Sequence, residues 1–314
     1  MPAPSSARCL PFDDAGVAEA ARRILDGEPV ALPSETVYGL AADATNARAV
    51  AAVYAAKGRP SFNPLIVHVA SRAMAETIAE FPPEAKRLAD AFWPGPLTLI
   101  LPRRDDGPVC DLVAAGLPTV AIRMPDHPAM RAVIEASGRP LAAPSANRSG
   151  SISPTRAEHV LASLGDRIAL VLDAGPTRAG IESTIAAPSG SAIRLLRPGP
   201  ITADELARAS GLPVTGATNG IEAPGQLASH YRPDKPLRLN ADHAHADEYL
   251  IGFGRMACDM NLSPDEDLVE AAANLFAALH RADSDKSHGI AIAPIPHQGI
   301  GVAINDRLAR AAVR

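Results

Sequence analysis

The chain is short of lysine, cysteine and aromatic residues, and it has no long apolar run. Of its 30 basic side chains only four are lysine (Lys57, Lys86, Lys235 and Lys286), and the other 26 are arginine. The three cysteines, Cys9, Cys110 and Cys258, are odd in number and widely spaced, which excludes a disulfide framework and a CxxC zinc knuckle. Aromatic residues make up only 4%, so the core has to be aliphatic; 62 alanines supply about two-fifths of the 47% hydrophobic content. No apolar stretch approaches the roughly 20 residues of a membrane-spanning helix. The segment MPAPSSARCLPFDDAG has no apolar signal core either. A cytoplasmic chain without a membrane partner is expected. The formal charge of −5 argues against a broad basic face, so no stable nucleic-acid binding is expected.

Common catalytic signatures are missing as well. There is no GxxxxGK(S/T) phosphate loop and no GxSxG nucleophile elbow. The run Gly252-Phe253-Gly254-Arg255-Met256-Ala257 matches GxGxxG/A, but the helix it should open begins only near Pro264. It reads better as a tight turn than as a dinucleotide site. His243 and His245 have no carboxylate or cysteine at ligand spacing and read as solvated surface, so no protein metal site is expected.

What is present is an alternation of helices and strands. Helices are expected at 17–25 behind an Asp13 or Asp14 cap, from Asn46 to about 56, and near 83–92, 126–136, 154–164 and 203–209. Strands are expected at 29–32, 65–69, 97–101, 119–123, 140–143, 169–172, 183–187 and 192–196. Interleaving of this kind indicates an α/β or α+β domain with a mixed sheet flanked by helices over 1–208. Residues 209–236, rich in Gly and Pro without periodicity, read as a linker. A smaller αβ domain at 237–314 follows, with strands at 248–252 and 289–293. Its main helix is expected to open on a Ser263-Pro264-Asp265-Glu266 capping box and run to about 281, and a last helix covers about 303–312. Residues 1–208 hold 21 basic and 22 acidic groups and the remainder 9 and 13, so the acidity belongs mostly to the second domain.

Three groups of polar residues stand at strand ends and in loops of the first domain, where function tends to lie. Lys57, Arg59 and Asn63 surround Gly58 and Pro60 after a helix. A basic helix end can simply favour the helix dipole, but a positioned Lys–Arg pair also suits a polyphosphate. Ser145, Asn147, Ser149, Ser151, Ser153 and Thr155 leave a strand and lead into the helix expected at Pro154, as an anion cradle or as an ordinary capped loop. Ser34-Glu35-Thr36-Val37-Tyr38-Gly39, Arg123, Glu182-Ser183-Thr184, Arg194 and Arg197 are scattered and form one site only if the fold brings them together.

Seven segments, PSETVYGL (33–40), KGRPSFNPLIVH (57–68), WPGPLTLIL (93–101), VAIRMPDHP (120–128), APSANRSGSISPT (143–155), ESTI (182–185) and LLRPGP (195–200), closely resemble the YrdC-like family. With SHYRP (229–233) and the additional αβ domain, expected to be Rossmann-like, the chain resembles the long form of the threonylcarbamoyl-AMP synthases. The resemblance implies a nucleotidyltransferase that joins L-threonine, bicarbonate and ATP into threonylcarbamoyl-adenylate and releases pyrophosphate. Downstream threonylcarbamoyl-transfer proteins then modify tRNA. It also implies that Thr36, His68, Arg123, Ser183 and the backbone at Ala143 hold threonine. Lys57, Arg59, Asn63, Thr119, Ser145, Asn147, Ser153 and Arg197 would handle ATP, with Mg²⁺ carried on its phosphates, Lys57 and Arg59 acting in catalysis and Tyr231 closing over the nucleotide. An RNA-binding or regulatory YrdC-like protein without this catalysis is the alternative. The larger carbamoyl-transfer relatives carry zinc-finger-like cysteine pairs, and this chain has none.

Overall fold

A computed structural model describes residues 7–216, 223–224 and 230–313. The elements in the first half are β1 (Arg8–Pro11), α1 (Asp14–Leu25), β2 (Val30–Pro33), β3 (Tyr38–Asp43), α2 (Ala47–Lys57), β4 (Ile66–His68), α3 (Arg72–Glu76), α4 (Pro83–Phe92), β5 (Leu97–Pro102), α5 (Asp111–Ala114), β6 (Thr119–Arg123), α6 (Pro128–Ser137) and β7 (Leu141–Ala142). They continue with α7 (Ala157–Leu164), β8 (Leu170–Asp173), β9 (Thr184–Pro188), β10 (Ile193–Arg197), α8 (Ala203–Ser210) and β11 (Val214–Gly216). The second domain holds β12 (Leu237–Arg238), β13 (Glu248–Gly252), β14 (Met260–Asn261), α9 (Leu268–Asp283), β15 (Gly289–Ile292) and α10 (Gly301–Ala311).

Local chemistry sets many of the boundaries. The Asp13 carboxylate caps α1 by accepting from Gly16 N, and Asn46 caps α2 by accepting from Arg48 N and Ala49 N. Gly58, at φ +62°, stops α2 in the left-handed conformation that glycine adopts without strain. Thr202 and Glu205 form a reciprocal capping box on α8.

The first domain is built on one mixed sheet in the order β1-β8-β2-β3-β7-β4-β6-β5-β9-β10-β11. Helices α1 and α6 cover part of one face, and aliphatic residues such as Leu40, Val67, Leu97 and Ile122 fill the main core. Three of these strands were not expected: β1, β3 and β11, the last inside the stretch read as linker. β3 carries Gly39, Ala41 and Ala42 and little intrinsic strand preference; antiparallel pairing with β2 and β7 makes it a strand. β1 is an edge strand held by parallel pairing with β8.

The capping-box expectation at Ser263 is corrected. Glu266 takes φ +62°, which no helix tolerates, and α9 instead starts behind Asp267, whose carboxylate accepts from Val269 N and Glu270 N. α7 likewise starts at Ala157 and not at Pro154, so Ser153 is not its cap. The stretch at 209–236 is not all linker. α8 reaches Ser210, and β11 pairs in parallel with β10. Ser229 of the SHYRP element lies outside the described residues.

The second domain has four parallel strands in the order β12-β15-β13-β14, with α9 and α10 packed on them. After β13 the chain turns at Gly254 (φ +72°) and passes through β14 before any helix begins, as the tight-turn reading of the GxGxxG match expects. Its apolar core does not stop at the domain edge, since Val37, Ile152 and Ile181 from the first domain belong to it, together with Tyr231. Gly180 shows how close the approach is: a Cβ there would stand 2.3 to 2.5 Å from backbone atoms of Ala272 and Ala273 on α9. Only glycine fits that contact.

Candidate active site

The ends of β4, β6, β7, β9 and β10 surround a cavity open to solvent, about 580 Å³ with its solvent-filled mouth included. Nine of the residues singled out in the sequence line it: Thr36, Arg59, His68, Arg123, Ala143, Ser145, Ser183, Arg197 and Tyr231. Parallel register places His68 on β4 opposite Arg123 on β6, at the carboxyl ends of both strands. Gly39 faces Ser145 across a bridge, and a Cβ on it would sit 3.2 Å from Ala143 Cβ, so β3 can lie against the wall that carries Ala143.

One side of the cavity is fixed by the sheet. Arg123 is buried and its donors are directed: Nε to the Gly95 carbonyl at 3.2 Å and Nη1 to Thr36 Oγ1 at 3.0 Å. Its Nη2 stands 2.6 Å from Glu35 Oε1, an ion-pair contact between two side chains that are each 3% exposed. The contact lacks hydrogen-bond alignment, so both Glu35 oxygens and Nη2 keep unused hydrogen-bonding capacity. Burial by itself would raise the Glu35 carboxyl; the Arg123 charge outweighs it and holds the group below the usual range. Burial, reinforced by Arg123, pulls the His68 imidazole down to about 3, so the ring is neutral at physiological pH, with Nδ1 unpartnered. Ser183 Oγ lies 2.8 Å from Thr98 Oγ1 and accepts from Arg197 Nη2 at 3.0 Å.

The other side carries three buried cations whose hydrogen-bond partners are largely backbone carbonyls. Lys57 Nζ donates to Ser145 O at 2.6 Å and Asn147 O at 2.5 Å, with Asn147 Oδ1 at 3.4 Å. Arg59 donates to Asn63 O and Pro64 O, and Arg197 to Ser183 O and Pro224 O. Burial, with Arg59 close by, pulls the Lys57 ammonium well below the ordinary lysine range, and burial brings Arg59 down to about 10. Tyr231 closes this side at φ +64°, its ring 5.5 Å from Phe276 of α9, its hydroxyl buried without a partner.

Other sequence candidates stand behind the lining. Lys57, Asn63 and Asn147 are buried just outside it, and Asn63 Oδ1 is unpartnered. The Ser153 hydroxyl, read as part of a helix-start anion cradle, instead donates to Glu182 Oε1 at 2.5 Å. Thr119 begins β6, about 13 Å along the strand from Arg123 at ~3.3 Å per residue, and does not line the cavity. Besides Ser34, two polar lining residues were not assigned from the sequence as ligands, His230 and Glu182. Glu182 stands in the scattered group beside Ser183, and His230 in the SHYRP element beside Tyr231, but neither was given a ligand role. A third residue, Arg307 of α10, is fully buried 2.8 Å from Glu182. It sits at the inward position of an amphipathic helix, where a charge is out of place.

Comparison with known proteins agrees with this arrangement. The Sua5_yciO_yrdC family model, described as telomere recombination, matches residues 22–199, and the model for the C-terminal domain of threonylcarbamoyl-AMP synthase matches 201–313. Threonylcarbamoyl-AMP synthase of Bacillus subtilis is 42% identical over 96% of this chain and 94% of its own length. The protein of the same name from Pyrococcus abyssi is 39% identical over 93% of each. A solved structure of P. abyssi Sua5 complexed with L-threonine superposes with a TM-score of 0.89 at 35% identity, covering 98% of both chains. The chain therefore belongs to the threonylcarbamoyl-AMP synthase family, in its two-domain form.

Proposed function

We infer that this chain is a nucleotidyltransferase that condenses L-threonine, bicarbonate and ATP into threonylcarbamoyl-AMP and releases pyrophosphate, for threonylcarbamoyladenosine formation in tRNA. The observation that carries the reading is one cavity with two unlike halves: a carboxylate-type anchor at Arg123, and a carboxylate-poor cluster of Lys57, Arg59 and Arg197 beside it. Arg123 receives the threonine carboxylate on donors its protein partners leave free. Thr36, Ser183, neutral His68 and the Ala143 backbone hold the rest of the amino acid. The P. abyssi relative, whose complex holds L-threonine, supports this assignment.

The deprotonated threonine amine adds to carbon dioxide derived from bicarbonate, giving a carbamate. A carbamate oxygen then attacks the α-phosphorus of ATP, and pyrophosphate leaves. No covalent enzyme intermediate is needed, so the protein contributes positioning and charge. Lys57 and Arg59 exchange their carbonyl partners for phosphate oxygens, and a polyphosphate would hold the proton on Lys57 that burial drives off. Asn63, Thr119, Ser145, Asn147, Ser153, Arg197 and Tyr231 complete the nucleotide side.

Among the described residues no cluster of three His, Cys, Asp or Glu could hold a metal ion, and Glu182 is engaged by Ser153 and Arg307. Mg²⁺ carried on ATP would offset the charge of the leaving pyrophosphate. No helix of the described residues is long and apolar enough to cross a membrane. A cytoplasmic enzyme that passes its product to threonylcarbamoyl-transfer proteins is the reading we adopt.

The test is incubation with ATP, L-threonine and bicarbonate, with mass spectrometry for threonylcarbamoyl-adenylate and each substrate omitted in turn. Product that requires all three is expected. An RNA gel shift at physiological salt together with no product would favour the non-catalytic alternative.

A further inference from the structure

Helix α10 buries Ala303, Ile304, Leu308 and Ala311 along one face, and Arg307 shares that face with no exposed surface. A charge in such a place must find partners for both its field and its donors. It finds them in the other domain. Nε donates to Glu182 Oε2 at 2.8 Å and Nη2 to the Pro198 carbonyl at 3.0 Å, while Nη1 turns back to Asp306 at 2.8 Å. The guanidinium carbon stands 5.3 Å from the centre of the Tyr231 ring, within reach of a cation–π contact.

Glu182, Pro198 and Tyr231 each lead to the nucleotide half of the cavity. Glu182 lines the cavity, and its other oxygen accepts from Ser153. Pro198 follows Arg197 in the chain. Tyr231 closes over the same side. Thr36 and Arg123, by contrast, take the partners described above entirely within the first domain.

We propose that Arg307 is a positioning residue for the nucleotide subsite, through which the second domain completes the active site of the first. One buried guanidinium sets the Glu182 carboxylate, the turn after Arg197 and the Tyr231 ring against each other. The proposal rests on the assignment of Ser153, Arg197 and Tyr231 to ATP.

The experiment uses the full chain. Wild type, Arg307→Met, Arg307→Lys and the double variant Arg307→Met/Glu182→Gln are compared by calorimetry with L-threonine and with Mg·ATP, by pyrophosphate release and by thermal unfolding. Arg307→Met should weaken ATP binding and raise KM for ATP at least tenfold, with threonine affinity changed less than threefold. Arg307→Lys keeps a charge opposite Glu182 but lacks the fork to Pro198, so it should recover only part of the ATP affinity. The double variant removes the unpaired buried carboxylate, and it should regain thermal stability without regaining ATP affinity. Recovery of ATP affinity together with stability in the double variant would overturn the proposal, as would a parallel loss for both ligands. If Arg307→Met does not fold, the Arg307→Lys comparison carries the same two outcomes. A wild type that binds neither ligand would sink the underlying assignment instead, and a wild type that binds both alongside an unaltered Arg307→Met would sink this proposal alone.

Discussion

The two halves of the cavity are prepared in different ways. On the threonine half, Arg123 already has a carboxylate partner in Glu35 and is braced by Gly95 and Thr36, so its orientation does not depend on a ligand. On the nucleotide half, Lys57 and Arg59 are buried on backbone carbonyls, and no carboxylate stands within ion-pair distance of either among the described residues. The first arrangement is a stable socket. The second is a set of desolvated cations that a polyanion satisfies better than carbonyl dipoles do. Preorganisation on one side and under-compensation on the other suit a reaction that must hold a small amino acid steady while gripping a triphosphate.

The largest expected effects fall on the nucleotide half. Lys57→Ala or Arg59→Ala should lower threonine- and bicarbonate-dependent pyrophosphate release by roughly 10²–10³-fold, by the measure of lost charge-stabilising donors. Threonine binding measured by calorimetry should survive; full activity in either folded variant would dissolve the distinction between the halves. Next comes Arg123→Ala, which should cost threonine about tenfold or more in affinity, on the scale of a charge-assisted hydrogen bond. Leaving Glu35 buried and unpaired should also destabilise the fold by about 3–5 kcal/mol. Adding Glu35→Gln should return part of that stability in a denaturant titration, and a variant that loses ATP binding more than threonine binding would reverse the assignment.

Acid should test both halves together, with an intermediate effect. Burial pulls His68, His159 and His230 down to about 3, chiefly by disfavouring the charged ring. The unfolded chain takes up these protons near pH 6.5 and the native chain only near 3, so the unfolded state binds more protons in between. Stability is therefore fully present above about 6.5 and falls as the pH drops towards 3. His159 lies in the domain interface, where its ring stacks on His280 at 3.9 Å and the His280 Nε2 donates to the Ser153 carbonyl. His159→Asn should flatten the slope of stability against pH by up to one proton; an unchanged slope would place that histidine's titration outside the folding equilibrium. The smallest effect is expected from Tyr231→Phe. Removing a buried hydroxyl without a partner should raise stability by about 1 kcal/mol, while ATP affinity falls only a few-fold; a large loss of affinity would mean that the hydroxyl itself binds the nucleotide.

Legibility in the sequence followed the same divide. The α2–loop–β4 region could be read because Asn46, Gly58 and Pro60 are strong local signals, whereas Arg123, a charge ending an apolar strand, took its threonine role only from the family resemblance. The lysine shortage pointed to Lys57, although only the structure reveals the carbonyls that hold it. β3 was missed because pairing, not propensity, makes it a strand. The start of α9 was misplaced because Ser263-Pro264-Asp265-Glu266 satisfies the capping pattern while Glu266 turns left-handed. Arg307 was passed over although the spacing of Ala303, Ile304, Leu308 and Ala311 puts position 307 on the inside. An inward charge on a periodic helix was the signal available there. It was not weighed because its partner, Glu182, is 125 residues away along the chain.

That distance bears on when the enzyme becomes active. Arg307 follows every residue that lines the cavity, and domains generally fold in the order in which they leave the ribosome. The contacts of Arg307 with Glu182 and Pro198 therefore form only once α10 has left the ribosome.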